Sequence, residues 1–126
     1  MATKRLIILV FLFVGLASFH KPYGFDDLLN SMKTGDAGRI EAYMDKSVDL
    51  SIPGVKGTYA RTEAQKMMRI FFAKHPLKTF QLIHQTKLSE NDLCIGTIVT
   101  DNGNFRATFL LANKEGDHKL REIRFE

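Results

Sequence analysis

From residue 93 to residue 125, apolar and polar positions follow the two-residue rhythm of strands rather than the 3.6-residue rhythm of helices. Residues 93–100 and 105–112 flank Asp101-Asn102-Gly103-Asn104. Asn-Gly favours a tight hairpin because type I′ turns need positive φ at both central residues. With Asn102 and Gly103 as the loop, Thr100 faces Phe105, Ile98 faces Ala107, Gly96 faces Phe109 and Cys94 faces Leu111. That side is almost wholly apolar and is the expected core face. The other side pairs Val99 with Arg106, Thr97 with Thr108 and Ile95 with Leu110, a mixture that fits a partly wet or partner-covered surface. The ring of Phe109 would cover the bare backbone of Gly96. A second turn, Lys114-Glu115-Gly116-Asp117, leads into a last strand over residues 119–125. There Leu120 and Ile123 differ in parity, and a bulge near Arg121 or Glu122 would return both to the core.

The earlier chain carries helical spacing. Phe25, Leu28, Leu29 and Met32 fall at i, i+3, i+4 and i+7, and Gly35 supplies the stop. Asp36 is placed to cap a second helix, in which Ala37, Ile40, Tyr43 and Met44 share a face. Two such short helices do not stand alone in water and need a sheet to cover. Val48, Leu50 and Ile52 alternate with Ser47, Asp49 and Ser51, a strand ended by Pro53-Gly54. Lys56-Gly57-Thr58-Tyr59 reads as a tight turn with a short extended piece. Thr62 with Gln65 three residues later forms a capping-box pattern opening a third helix, which Pro76 closes. Its apolar residues Ala64, Met67, Met68, Ile70, Phe71 and Phe72 span roughly 200° of a helical wheel, wider than a one-sided surface stripe, so cover on both flanks is expected. Lys66 and Arg69 take the solvated face. Beyond Pro76, Phe80, Leu82 and His84 point one way along a strand, and Gln81, Ile83 and Gln85 the other. This puts His84 on the core side.

Composition adds a compartment. Lys4 and Arg5 precede nine unbroken apolar residues, 6–14, and Gly15-Leu16-Ala17 offers the small-x-small pattern that signal peptidase accepts. Residues 1–19 read as a secretory signal cleaved near Ala17, and residues 20–126 as a single domain. The uncharged run over residues 6–19 falls short of the roughly 20 residues needed to span a bilayer core, so no stable membrane anchor is expected after cleavage. The expected location is periplasmic or extracellular. Without Lys4 and Arg5 the formal charge of +4 falls by two. So small an excess, spread along the chain, argues against a nucleic-acid partner. The single cysteine, Cys94, excludes an internal disulfide and reads as a small buried hydrophobe. Core packing alone must hold the domain, and seven of the ten phenylalanines follow residue 20.

Two helices, a strand, a third helix and four antiparallel strands can build an α+β roll, with N-terminal helices packed on a curved antiparallel sheet. In this order, the chain resembles the nuclear transport factor 2-like, or cystatin-like, fold. More closely, it resembles an uncharacterised family of small exported bacterial proteins with that fold. The resemblance rests on Ile52-Pro53-Gly54, Gly57-Thr58-Tyr59, Phe71-Phe72, the strand from Phe80 to His84-Gln85, Ile95-Gly96-Thr97, Gly103-Asn104-Phe105-Arg106 and Glu122-Ile123-Arg124-Phe125. It implies a fold and an exported location, and no established activity, because one fold hosts many functions.

Candidate chemistry is sparse. Asp49 lies on the polar side of its strand and Glu122 at the expected bulge, so neither presents a tuned general base, and no catalytic residue is assigned. His20, His75, His84 and His118 lack metal-ligand spacing. No glycine-rich phosphate loop appears, and no cofactor is assigned. The reading leans away from an enzyme, with an isomerase or dehydratase of the same fold as the least favoured option. The first functional reading is a small apolar ligand held in the cone between helix three and the sheet, at Tyr59, His84, Met67, Met68, Phe71 and Phe72. The alternative is a homodimerising interaction module that uses Ile95, Thr97, Val99, Arg106, Thr108 and Leu110 on the outer sheet face.

Overall fold

The structure is a computed structural model that describes residues 25–114 and 117–126. The expected signal segment, the expected linker behind it and the centre of the turn at Glu115-Gly116 lie outside the described residues. The chain forms α1 (Phe25–Thr34), α2 (Ala37–Glu41), β1 (Met44–Ile52), β2 (Val55–Ala60), α3 (Arg61–Lys74), β3 (Leu77–Lys87), β4 (Asn91–Thr100), β5 (Gly103–Lys114) and β6 (Asp117–Phe125). The six strands make one sheet in the order β2-β1-β6-β5-β4-β3. Helices packed on a curved sheet give the expected α+β class. The sheet is not antiparallel throughout, because β1 and β6 run parallel.

The first corner follows its local code. Gly35, at φ 65°, ends α1 by donating to the Met32 carbonyl at 3.1 Å, and Asp36 donates to the Ser31 carbonyl at 3.2 Å. This two-bond arrangement satisfies carbonyls that a helix end leaves open, and its left-handed residue suits glycine. The Asp36 carboxylate then accepts from the Arg39 amide at 3.1 Å and starts α2. α2 stops at Glu41, short of the expected Tyr43 and Met44. The Tyr43 carbonyl accepts from the Leu120 amide at 2.7 Å, which draws this segment into the sheet. α3 starts at Arg61 behind Ala60 with no side-chain cap, so the Thr62 and Gln65 capping box does not form. Gln65 is instead buried.

Three local features shape the sheet. Arg121 is the extra residue where Leu110 pairs with Glu122 but Leu111 pairs with Leu120, which restores Leu120 and Ile123 to the core as parity required. In β3 a register shift leaves Ile83 unpaired between Leu82, opposite Gly96, and His84, opposite Ile95. Bulges of this kind bend a strand and re-aim its side chains. The β4–β5 hairpin is the third. Its loop is Asp101-Asn102, with Thr100 opposite Gly103, so Ile98 meets Phe105, Gly96 meets Ala107 and Cys94 meets Phe109. The shift of two residues from the expected pairing keeps both faces unchanged. Tertiary bonds select it: the Asn102 amide donates to the Lys74 carbonyl at 2.9 Å, His75 Nδ1 lies 2.6 Å from Asn102 Oδ1, and the Asp101 amide donates to the Pro76 carbonyl at 3.0 Å. The ring over Gly96 belongs to Phe80, not to Phe109.

The core lies between the helices and the inner sheet face, with Met68 and Phe71 of α3 set among Leu50, Ile98, Phe109, Ile123 and Phe125. Burial alternates strictly along β4, so one face of this strand is sealed and the other half-open. Among the described residues, no helix is long and apolar enough to cross a membrane.

Candidate functional site

α3 brings most of the cone residues together. Met68 and Phe71 are buried, and Met67, Phe72 and Tyr59 are partly buried against the same cluster. The Phe71 ring has centroids of Phe72, Phe105, Phe125 and His75 at 5.6, 5.3, 5.1 and 4.7 Å. Rings at these separations are packed against one another, as in a filled core. His84 does not join them. The bulge at Ile83 turns it to the outer face, where it is exposed and its Nε2 lies 2.6 Å from Thr86 Oγ1. The inward placement expected from strict alternation is therefore corrected.

The six outer-face residues form one patch across β4 and β5. Thr97 is opposite Arg106, Ile95 opposite Thr108 and Leu93 opposite Leu110, with Val99 opposite Asn104 nearer the hairpin tip. Ile95, Thr97, Val99, Thr108 and Leu110 are half-buried, and Arg106 is exposed. On the β6 side the same face turns charged. Leu110 neighbours Glu122, which pairs with Asp49 of β1, while Thr108 neighbours Arg124. Arg124 donates to Glu122 at 3.0 Å and Thr58 donates to Asp49 at 2.7 Å. Asp49 and Glu122 thus sit side by side on the outer face, each engaged by a neighbour, along a shallow hollow of about 240 Å³.

A larger cavity, about 340 Å³, opens between the α1–α2 corner and the start of β6. Asp27, Arg39, Tyr43, Asp117, His118 and Lys119 line it. Arg39 donates to Asp27 Oδ1 at 2.8 Å, and the Tyr43 hydroxyl bonds the other oxygen of the same carboxylate. Behind the wall, His118 Nε2 lies 3.2 Å from Asp92 Oδ2, whose side chain is only 6% exposed. None of the lining residues was assigned to a site from sequence, because three separate segments supply them. Cys94, beside Asp92, is fully buried; burial, with the Asp92 charge adding to it, pushes its thiol up to about 12. A thiol held protonated at neutral pH is a poor nucleophile. Among the described residues no three His, Cys, Asp or Glu side chains gather to hold a metal.

A model of the family described as "Domain of unknown function (DUF4783)" matches residues 25–126. Crystal structures of members of that family resemble this fold. One from Bacteroides ovatus is 29% identical, with a TM-score of 0.75 over 79% of this chain and 90% of that one. One from Bacteroides uniformis is 26% identical, with a TM-score of 0.78 over 82% and 96%. A bacterial protein with a cystatin-like fold from Silicibacter pomeroyi is 12% identical, with a TM-score of 0.59 over 80% and 72%, which speaks for the fold alone. Among curated proteins, none matches the chain.

Proposed function

Because the chain belongs to the DUF4783 family, which is defined by sequence and not by an activity, we propose from its own surface that it is an exported, non-catalytic interaction module that pairs with a second copy of itself through the outer face of β4 and β5. The observation that carries this reading is the patch of Ile95, Thr97, Val99, Thr108 and Leu110 on β4 and β5, half-buried in one copy and rimmed by Arg106. A mostly neutral centre with a charged rim is the composition of a protein interface. The flanking strip carries both signs, Asp49 and Glu122 against Arg106 and Arg124. A two-fold axis, which sets one patch against its own copy, can therefore oppose acid to base. The leader-like start, with Lys4 and Arg5 before an apolar run and small residues, supports export. An apolar ligand in the cone is the weaker reading, since the rings around Phe71 occupy that space themselves.

The test is the oligomeric state of the chain purified after export, by native mass spectrometry and sedimentation. A dimer is expected, and Leu110→Asp should give a folded monomer. A carboxylate placed within the patch, beside Glu122, should weaken pairing about 100-fold or more, the scale of a hot-spot loss. A dimer that survives Leu110→Asp sinks this choice of face, and a monomeric wild type sinks the pairing.

A further inference from the structure

We propose that the cavity between the α1–α2 corner and β6 binds a small organic anion, a carboxylate or a phosphate monoester, through Lys119, His118 and Arg39. The argument starts with how the wall is held. Asp27 has one oxygen on Arg39 at 2.8 Å and the other on the Tyr43 hydroxyl, so both oxygens are engaged and its charge is paired. Asp92 holds His118 from behind at 3.2 Å. A carboxylate behind an imidazole fixes the orientation of the ring. Two acids, one of them buried, thus position a guanidinium and an imidazole from elements far apart in sequence.

Lys119 is left over. It is partly buried and lines the same cavity, and its side chain makes no hydrogen bond or ion pair to the described residues. An ammonium that lines a cavity with no ion-pair partner is free to take a compact anion as its counter-charge. Acids limit the choice of ligand. Asp27 lies in the wall and Asp117 is exposed at the rim, so a polyanion would meet repulsion that a compact anion avoids. The volume, about 340 Å³, lies at the small end of ligand pockets and fits a metabolite rather than a chain. Carboxylate and phosphate share the chemistry that these donors recognise.

The experiment is an amide NMR titration of the full mature chain with inorganic phosphate and, separately, with succinate, against sodium chloride at matched ionic strength. Saturable shifts are expected at Arg39, Tyr43, His118 and Lys119 with at least one probe. A response to phosphate alone identifies a phosphate monoester, and one to succinate alone a carboxylate. Lys119→Met, which keeps the length of the stem, should weaken binding about tenfold, and Arg39→Gln should weaken it as well. Lys119→Arg should retain it. Shifts that never saturate, that sodium chloride reproduces, or that persist with equal affinity in Lys119→Met overturn the proposal. Leu110→Asp should bind as the parent does, which separates this site from the sheet face.

Discussion

Gly96→Ala perturbs the tightest backbone approach in the sheet. A Cβ at this buried position would lie 2.6 Å from the Gln81 carbonyl oxygen and 2.8 and 2.9 Å from the edge of the Phe80 ring. The ring could swing away, but the oxygen belongs to the backbone of the paired strand β3. Overpacking of a close-packed site costs about 1–3 kcal/mol. Displacing the strand disturbs a ladder hydrogen bond worth about 1 kcal/mol. Removing a glycine from the unfolded chain returns about 0.4–1 kcal/mol. The expected net loss is about 1–3.5 kcal/mol by combining these terms, or a fall in Tm on the order of 5–25 °C for a domain of this size. Urea denaturation followed by circular dichroism measures it. Gly57→Ala is the matched control, because the atoms near its added Cβ, at 3.2 and 3.3 Å, are the mobile end of Tyr59. It should stay within about 0.5 kcal/mol of the parent. Phe80→Leu added to Gly96→Ala should rescue only part of the loss, since the carbonyl contact remains. A Gly96→Ala protein as stable as the parent, or full rescue by Phe80→Leu, would refute the reasoning.

Two further outcomes follow from the same structure. Asp36→Ala removes the cap of α2 and should cost about 1 kcal/mol; Thr62→Ala, where no capping box forms, should stay within about 0.5 kcal/mol in the same urea assay. Equal losses would mean that α3 is capped after all. For Cys94, the folded thiol is raised from 9.0 to about 12, so the stability it contributes is full below pH 9 and is lost as pH rises through the folded value. The parent should therefore lose up to about 1.4 kcal/mol per pH unit across that window relative to Cys94→Ala. Superimposable stability curves for the two proteins would contradict this. The native thiol should also resist Ellman's reagent until the protein unfolds.

The elements were legible where hydrophobic parity and turn chemistry agreed. Val48, Leu50 and Ile52 placed β1, and the parity conflict between Leu120 and Ile123 revealed the bulge at Arg121 because only an extra residue could bury both. The bulge at Ile83 was illegible for the opposite reason. The apolar residues before it already faced the core, and the only hint was a polar His84 continuing their face. The hairpin register escaped local reasoning because Asn102 is held by Lys74 and His75, residues of another element. The outer-face patch survived that error, since a slip of two residues preserves sidedness. The charged cavity had no sequence signature at all. Asp27, Arg39 and Tyr43 meet His118 and Lys119 only after the sheet has formed.

The parallel ladder between β1 and β6 has a consequence for the order of folding. β3 to β6 form a consecutive meander and β1 with β2 a local hairpin, so each can pair soon after it emerges. The two parts become one sheet only through contacts such as Leu50 with Ile123. Closing so long a loop costs entropy before any contact rewards it, and topologies of high contact order fold slowly. Synthesis runs from the N-terminus, so β1 waits, with one edge open, for the last strand to arrive. Ending translation before residue 117 should therefore leave two unjoined fragments rather than a domain with a frayed edge.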